Sequence, residues 1–290
     1  MRKYFWKILS AIMLLGMAAQ PAFADSTSTA TSTPALSPIE DSLNQLISAK
    51  EDATLSPADR TYAEVTAREN ILEGVLSLSL NEVSSTQSKI NSLPNFAKGS
   101  KELALQNKYF GQLAAFSAFY KKESKILNGI ENNSNPYSEA TNSSLKSMAQ
   151  EVEKYRENYY DQPMSDMMNF YLVYYSQSVI SAASSQLARI SQNINQLEAA
   201  NLVSQGQFDQ QLKEVNSLLG SAADLTAAAK DMILDPQAAS ALSSAASGTS
   251  AGPQASSTPS ALLTQSLSDV KQAFNIFLYI GNQLKSELGN

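Results

Sequence analysis

The chain has no cysteine and no histidine. The first absence excludes disulfides, thiolate nucleophiles and lipid attachment at a cysteine. The second removes the commonest general base and the imidazole metal ligand. It also excludes the Glu-x-x-His element with which some helical bundles hold paired metal ions. Gly206, Gly220, Gly281 and Gly289 are scattered, so no glycine-rich loop offers a phosphate cradle. Basic residues form no stripe, which argues against nucleic acid as a partner, because counterion release needs clustered Lys and Arg. No segment keeps the strict apolar–polar alternation of a half-buried strand. These absences leave no nominated catalytic residue, no cofactor site and no metal site, and the expected protein is not an enzyme.

What is present begins at the N-terminus. Arg2, Lys3 and Lys7 precede an apolar run from Ile8 to Ala19, and Ala22-Phe23-Ala24 stands before Asp25. This pattern predicts a secretory signal over 1–24, cleaved between Ala24 and Asp25. The run is shorter than the ~20 residues of a membrane span. Attachment to a membrane is expected only if this segment stays uncleaved. Without Arg2, Lys3 and Lys7 the 21 basic residues fall to 18 against 27 acidic ones, a formal charge of −9. An exported chain without disulfides needs a sizeable apolar core.

Residues 25–37, "DSTSTATSTPALS", read as a flexible spacer. Residues 235–259, "DPQAASALSSAASGTSAGPQASSTP", read as a disordered loop. Between them, 38–234 reads as a helical bundle, and 260–290 as a C-terminal helix packed on it. Start signals recur at Ser37-Pro38-Ile39-Glu40, Ser56-Pro57, Asn135-Pro136, Ser204-Gln205-Gly206-Gln207 and Thr258-Pro259. Apolar residues then follow at three-and-four spacing. The stripes are Val65, Leu72, Leu76, Val83, Ile90; Leu103, Phe110, Leu113, Tyr120, Leu127; Leu145, Met148, Val152, Tyr155, Tyr159; Leu187, Ile190, Ile194, Leu197; Phe208, Leu212, Val215, Leu219; and Leu263, Leu267, Val270, Phe274, Phe277. The expected fold is all-α: an elongated antiparallel bundle of long helices with coiled-coil-like packing. Its outer faces, such as "SSQLARISQNINQ", carry Ser, Gln and Asn where many coiled coils carry charge. Such a face is either merely solvated or suited to hydrogen bonding with protein or carbohydrate.

The stretch "YRENYYDQPMSDMMNFYLVYY", Tyr155 to Tyr175, concentrates aromatic residues. Pro163 disfavours a helical Gln162, so a turn or sharp kink is expected at Asp161-Gln162. Tyr155, Tyr159, Met164, Met168, Tyr171 and Tyr175 fall on the seams as core. Tyr160 and Tyr174 fall beside them, and are expected either to flank a broad core or to present an interaction surface for a partner or glycan. Glu151, Glu153, Glu157 and Asp161, interspersed with Lys154 and Arg156, read as a solvated ion-paired face rather than a carboxylate site. "AFNIFLYIGNQL", Ala273 to Leu284, reads as a helix buried on several sides, with a membrane-inserting element as the rival reading. Asn132-Asn133-Ser134 and Asn142-Ser143-Ser144 match the glycosylation pattern, with neither expected to be used.

The succession "RENILEGVLSLSLNEVSSTQSKINSL", "KELALQNKYFGQLAAFSAFYKKESKIL", "MAQEVEKYRENYYDQPMSDMMNFYLVYYSQSVISAASSQLARISQNINQLE" and "SLSDVKQAFNIFLYIGNQLKSEL" resembles a group of uncharacterised exported helical proteins of bacteria with reduced genomes. The resemblance spans most of Arg68 to Leu288. It implies export and a helical bundle, and carries over no activity and no site residue. The expected role is structural or interactive at the cell envelope, with an envelope or extracellular protein or a glycan as partner. The alternatives are a membrane-active helical pore-former and a protein that binds or processes an envelope glycan.

Overall fold

The computed structural model describes residues 37–132, 135–235 and 258–287. The expected signal with Ala22, Ala24 and Asp25, the spacer up to residue 36, and nearly all of the expected loop lie outside them. Among the described residues the protein is an all-α bundle without strands. The elements are α1 (Ser37–Glu51), α2 (Pro57–Asn91), α3 (Lys101–Glu131), α4 (Glu139–Tyr155), a π turn (Arg156–Tyr160), α5 (Asp161–Ala199), α6 (Asp209–Leu234) and α7 (Pro259–Glu287).

Serine and threonine oxygens start four of these helices by accepting an otherwise unpaired backbone N–H. Ser56 accepts from Asp59 at 3.2 Å, Ser100 from Leu103 at 3.1 Å, Ser138 from Thr141 at 3.2 Å and Thr258 from Ala261 at 3.2 Å. Two expected starts move. α4 begins at Glu139 behind Ser138, not at Asn135-Pro136. At Ser204 only half of the capping box forms: its N–H donates to Gln207 Oε1 at 3.2 Å, and α6 begins at Asp209. α5 ends at Ala199, and the turn after it places Asn201 at φ 55°. There Leu202 N–H reaches Leu197 C=O and Asn201 N–H reaches Glu198 C=O, each at 2.9 Å, which satisfies two terminal carbonyls.

The described residues form two compact units, divided between Ser165 and Asp166 inside α5. This differs from the single bundle expected over 38–234. In the first unit α2 packs against α1, α3 and α4. Its stripe of Val65, Leu72, Leu76, Val83 and Ile90 is buried as expected. α1 sits tightly on α2 at Gly74, where a Cβ would fall 2.6 Å from Ile39 Cγ1. A methyl group there would force the Ile39 arm to move aside.

The second unit is built from α5, α6 and α7 in three layers. Val173, Ala229 and Leu263 form one. Ile180, Ala183, Val215, Leu219, Ala222, Val270, Ala273 and Phe277 form the middle. Ile194, Phe208 and Ile280 form the other end. Residue numbers rise through these layers on α5 and α7 and fall on α6, so α6 runs antiparallel to both. The α7 segment Ala273 to Leu284 is one-sided rather than buried all round. Phe277 and Ile280 are buried, while Leu278 and Tyr279 are exposed. No helix among the described residues is long and apolar enough to cross a membrane.

Candidate functional site

The chemistry of the first unit gathers at the π turn. The expected turn at Asp161-Gln162 is absent, and helix runs through Pro163. Proline lacks an N–H, and its ring clashes with the carbonyl four residues back, here that of Tyr159. The chain widens just ahead of this point: Asp161 N–H bonds Arg156 C=O, five residues back instead of four. The lost hydrogen bond and the ring clash are thus taken up by a bulge, not by a break.

The bulge also shifts the helix phase. On α-helical spacing Tyr159 continues the stripe of Leu145, Met148 and Val152. In the structure the inward positions after Val152 are Arg156, Tyr160 and Met164, and Tyr159 is 64% exposed. Tyr160 is fully buried, so its expected place on an interaction surface is corrected. Tyr174 is half-buried against the layer of Val173, Ala229 and Leu263. Phe170 lies edge-on to it at 5.3 Å, and Lys230 Nζ stands 5.5 Å from its ring centre. It packs at the margin of a core and does not project.

Arg156, expected on a solvated face, is 1% exposed. Its Nη1 donates to Ser79 Oγ at 2.9 Å and lies 3.8 Å from Glu82 Oε2. Its Nη2 lies 3.3 Å from Asp161 Oδ1. The guanidinium carbon stands 4.6 Å from the centre of the Tyr160 ring, a cation–π contact. Tyr160 donates its hydroxyl proton to Glu82 Oε2 at 2.7 Å. Tyr120, also fully buried, closes the cluster with its ring 5.3 Å from that of Tyr160. One cation therefore faces two carboxylates beneath two phenols.

Burial sets the electrostatics. It raises the Glu82 carboxyl above the usual range, partly offset by Arg156 and by the Tyr160 hydrogen bond. Burial likewise raises Asp161, with Arg156 opposing. The Tyr160 phenol is pushed far up by burial and by the neighbouring Glu82 charge, and Tyr120 is raised by burial. For Arg156 burial works against the charge, but Tyr120, Glu82, Asp161 and Tyr160 together outweigh it and hold the guanidinium protonated. Removing Arg156 would leave Glu82 and Asp161 facing one another without the cation between them.

Outside this cluster runs an aromatic strip. Phe119 stacks on Tyr155 at 3.5 Å and 8°, and Tyr155 meets the exposed Tyr159 at 5.7 Å. The π turn thus has a charged inner side and an aromatic outer side.

The remaining sequence candidates are not brought together. Glu153 is half-buried and Glu157 exposed, and neither joins the cluster. Asn142 is buried: it accepts from Arg68 Nε at 2.9 Å and donates to Glu64 at 3.2 Å, which closes that glycosylation acceptor in the folded protein. Among the described residues no group of carboxylates is placed to hold a metal ion. Sequence reasoning missed Ser79, Glu82 and Arg156. The available signal was the fourfold spacing of Val152, Arg156, Tyr160 and Met164, wider than an α-helical repeat. No protein family, curated protein or solved structure matches this chain.

Proposed function

We propose that the protein is an exported, non-enzymatic helical-bundle module that holds a partner at the cell envelope. The observation that carries this reading is the outer side of the π turn. Tyr159 offers a largely exposed ring beside the stacked pair of Tyr155 and Phe119. Exposed tyrosines supply contact area at low entropic cost, and contacts of this kind dominate many interfaces. The polar groups beneath are engaged with one another: Tyr160 donates to Glu82, and Arg156 to Ser79. Their arrangement supports the turn that displays the strip.

The test compares the wild-type protein with Tyr159→Ser in crosslinking on intact envelopes. The ring lies outside the core, so stability changes by less than about 0.5 kcal/mol. A specific crosslinked product should fall at least tenfold in the variant, the loss of about 1.4 kcal/mol of binding. An undiminished product, or wild-type protein recovered only as a free monomer, would count against the reading.

A further inference from the structure

We propose that the second unit holds a buried water-binding site, built from one hydroxyl on each of its three helices: Ser176, Thr226 and Ser266. The bound water ties α5 to the α6–α7 pair. This is independent of the envelope role.

Heptad spacing places the three hydroxyls in one layer. On α5, Ser176 stands three residues after Val173 and four before Ile180. On α7, Ser266 stands three residues after Leu263 and four before Val270. On α6, which runs the other way, Thr226 stands three residues before Ala229 and four after Ala222. Residues at these offsets share a helix face. The six flanking residues belong to two successive core layers. Ser176, Thr226 and Ser266 therefore form a polar layer between apolar ones, and all three are 0% exposed.

The hydrogen bonds of this layer do not close on the protein alone. Ser266 donates its hydroxyl proton to Ala222 C=O at 2.9 Å. A hydroxyl has one proton to give, so in the 2.8 Å contact Thr226 donates and Ser266 accepts. Both protons are then spent, while lone pairs remain on both oxygens. Ser176 Oγ, on the third helix, reaches no protein partner. It brings one unused proton to a layer that has unused acceptors.

A buried hydroxyl without a hydrogen bond is costly. One water molecule removes that cost. It accepts from Ser176 and donates to Thr226 Oγ1 or Ser266 Oγ, within the roughly two to four partners that a buried water uses. The side chains leave room for it: two serines and a threonine fill less than Val173 and Leu263 on one side, or Ile180 and Val270 on the other.

Two measurements on the full chain test the site. A crystal structure that shows ordered water should place one molecule within hydrogen-bond distance of Ser176 Oγ and of Thr226 Oγ1 or Ser266 Oγ. No water density there, or a direct bond from Ser176 to a protein oxygen, overturns the proposal. The second measurement compares Ser176→Ala with Ser178→Ala by hydrogen exchange in α5, α6 and α7. Ser178 is exposed on the same helix, so its variant reads the gain in helix propensity alone. Relative to Ser178→Ala, Ser176→Ala should lower the folding constant of the second unit about two- to tenfold, the net worth of one hydrogen bond. Without a bound water the same change removes an unsatisfied hydroxyl, and the folding constant rises instead. A Ser176→Ala variant as stable as Ser178→Ala, or more so, overturns the proposal.

Discussion

The two units solve the same packing problem with opposite materials. The first fills its interior with large rings and charge: Phe116, Tyr120, Tyr160, Arg68 and Arg156 are all buried. The second brings α6 and α7 together over Ala222, Thr226, Ala229, Ser266 and Ala273. Its buried polar groups are neutral hydroxyls and one carboxylate. Thr226 and Ser266 hydroxyls meet at 2.8 Å, and Ser266 donates to Ala222 C=O at 2.9 Å. Asp269 is held by Ser221 and Gln265, each at 2.7 Å. Small side chains let backbones approach, so polar satisfaction there is short-range and local. In the first unit the polar reach is longer: Arg156 extends from the π turn to Ser79 and Glu82 on α2. The difference teaches where each unit is vulnerable: the first to loss of a partner, the second to gain of volume.

The sharpest break is Arg156→Ala. It leaves Glu82 and Asp161 without their cation and opens space beside Tyr160, and should cost about 3–5 kcal/mol. Hydrogen exchange read amide by amide should show protection lost in α2, α4 and the π turn, with α6 and α7 little changed. Equal loss in both units would erase the distinction.

The matching insult to the second unit is Ala222→Leu. Ala222 is fully buried and its carbonyl accepts from Ser266, so the added carbons push α6 from α7 at a cost of about 1–3 kcal/mol. Here protection should fall in α6 and α7, and denaturant unfolding gives the magnitude. A neutral result would mean the seam has slack.

Thr226→Val is the mildest. The shape is kept, one hydroxyl pair is lost, and Ser266 retains its bond to the Ala222 carbonyl. The expected cost is about 0.5–1.5 kcal/mol by denaturant unfolding, the net worth of a single hydrogen bond. A cost matching that of Arg156→Ala would show that neutral and ionic contacts weigh alike, against the comparison.

Much of this was legible in the chain, and for a physical reason. Helix burial follows a short-range period, so Val65 through Ile90 and Val215 through Phe277 announce their inner faces directly. Caps are equally local, which is why Ser56-Pro57 and Thr258-Pro259 mark true starts. What escaped depends on competition. Pro163 signals a break, and nothing nearby in sequence says that a widened turn can absorb it. Once the phase is misjudged, Tyr159 and Tyr160 exchange places and Arg156 reads as a surface ion. Glu82 and Ser79 lie more than seventy residues away from Arg156, and only tertiary packing joins them. Separation into two units was illegible for a similar reason, since the division falls inside one continuous helix and not at a linker.

The π turn acts as a phase shifter for the helix that carries it. A widened turn takes up one residue more than an α-helical one. Beyond Val152 it is Arg156, Tyr160 and Met164 that stand inward, while Tyr159 stands outward. One residue of pitch thus decides whether the interior of the first unit receives a guanidinium or a ring that plain helical spacing would have placed there.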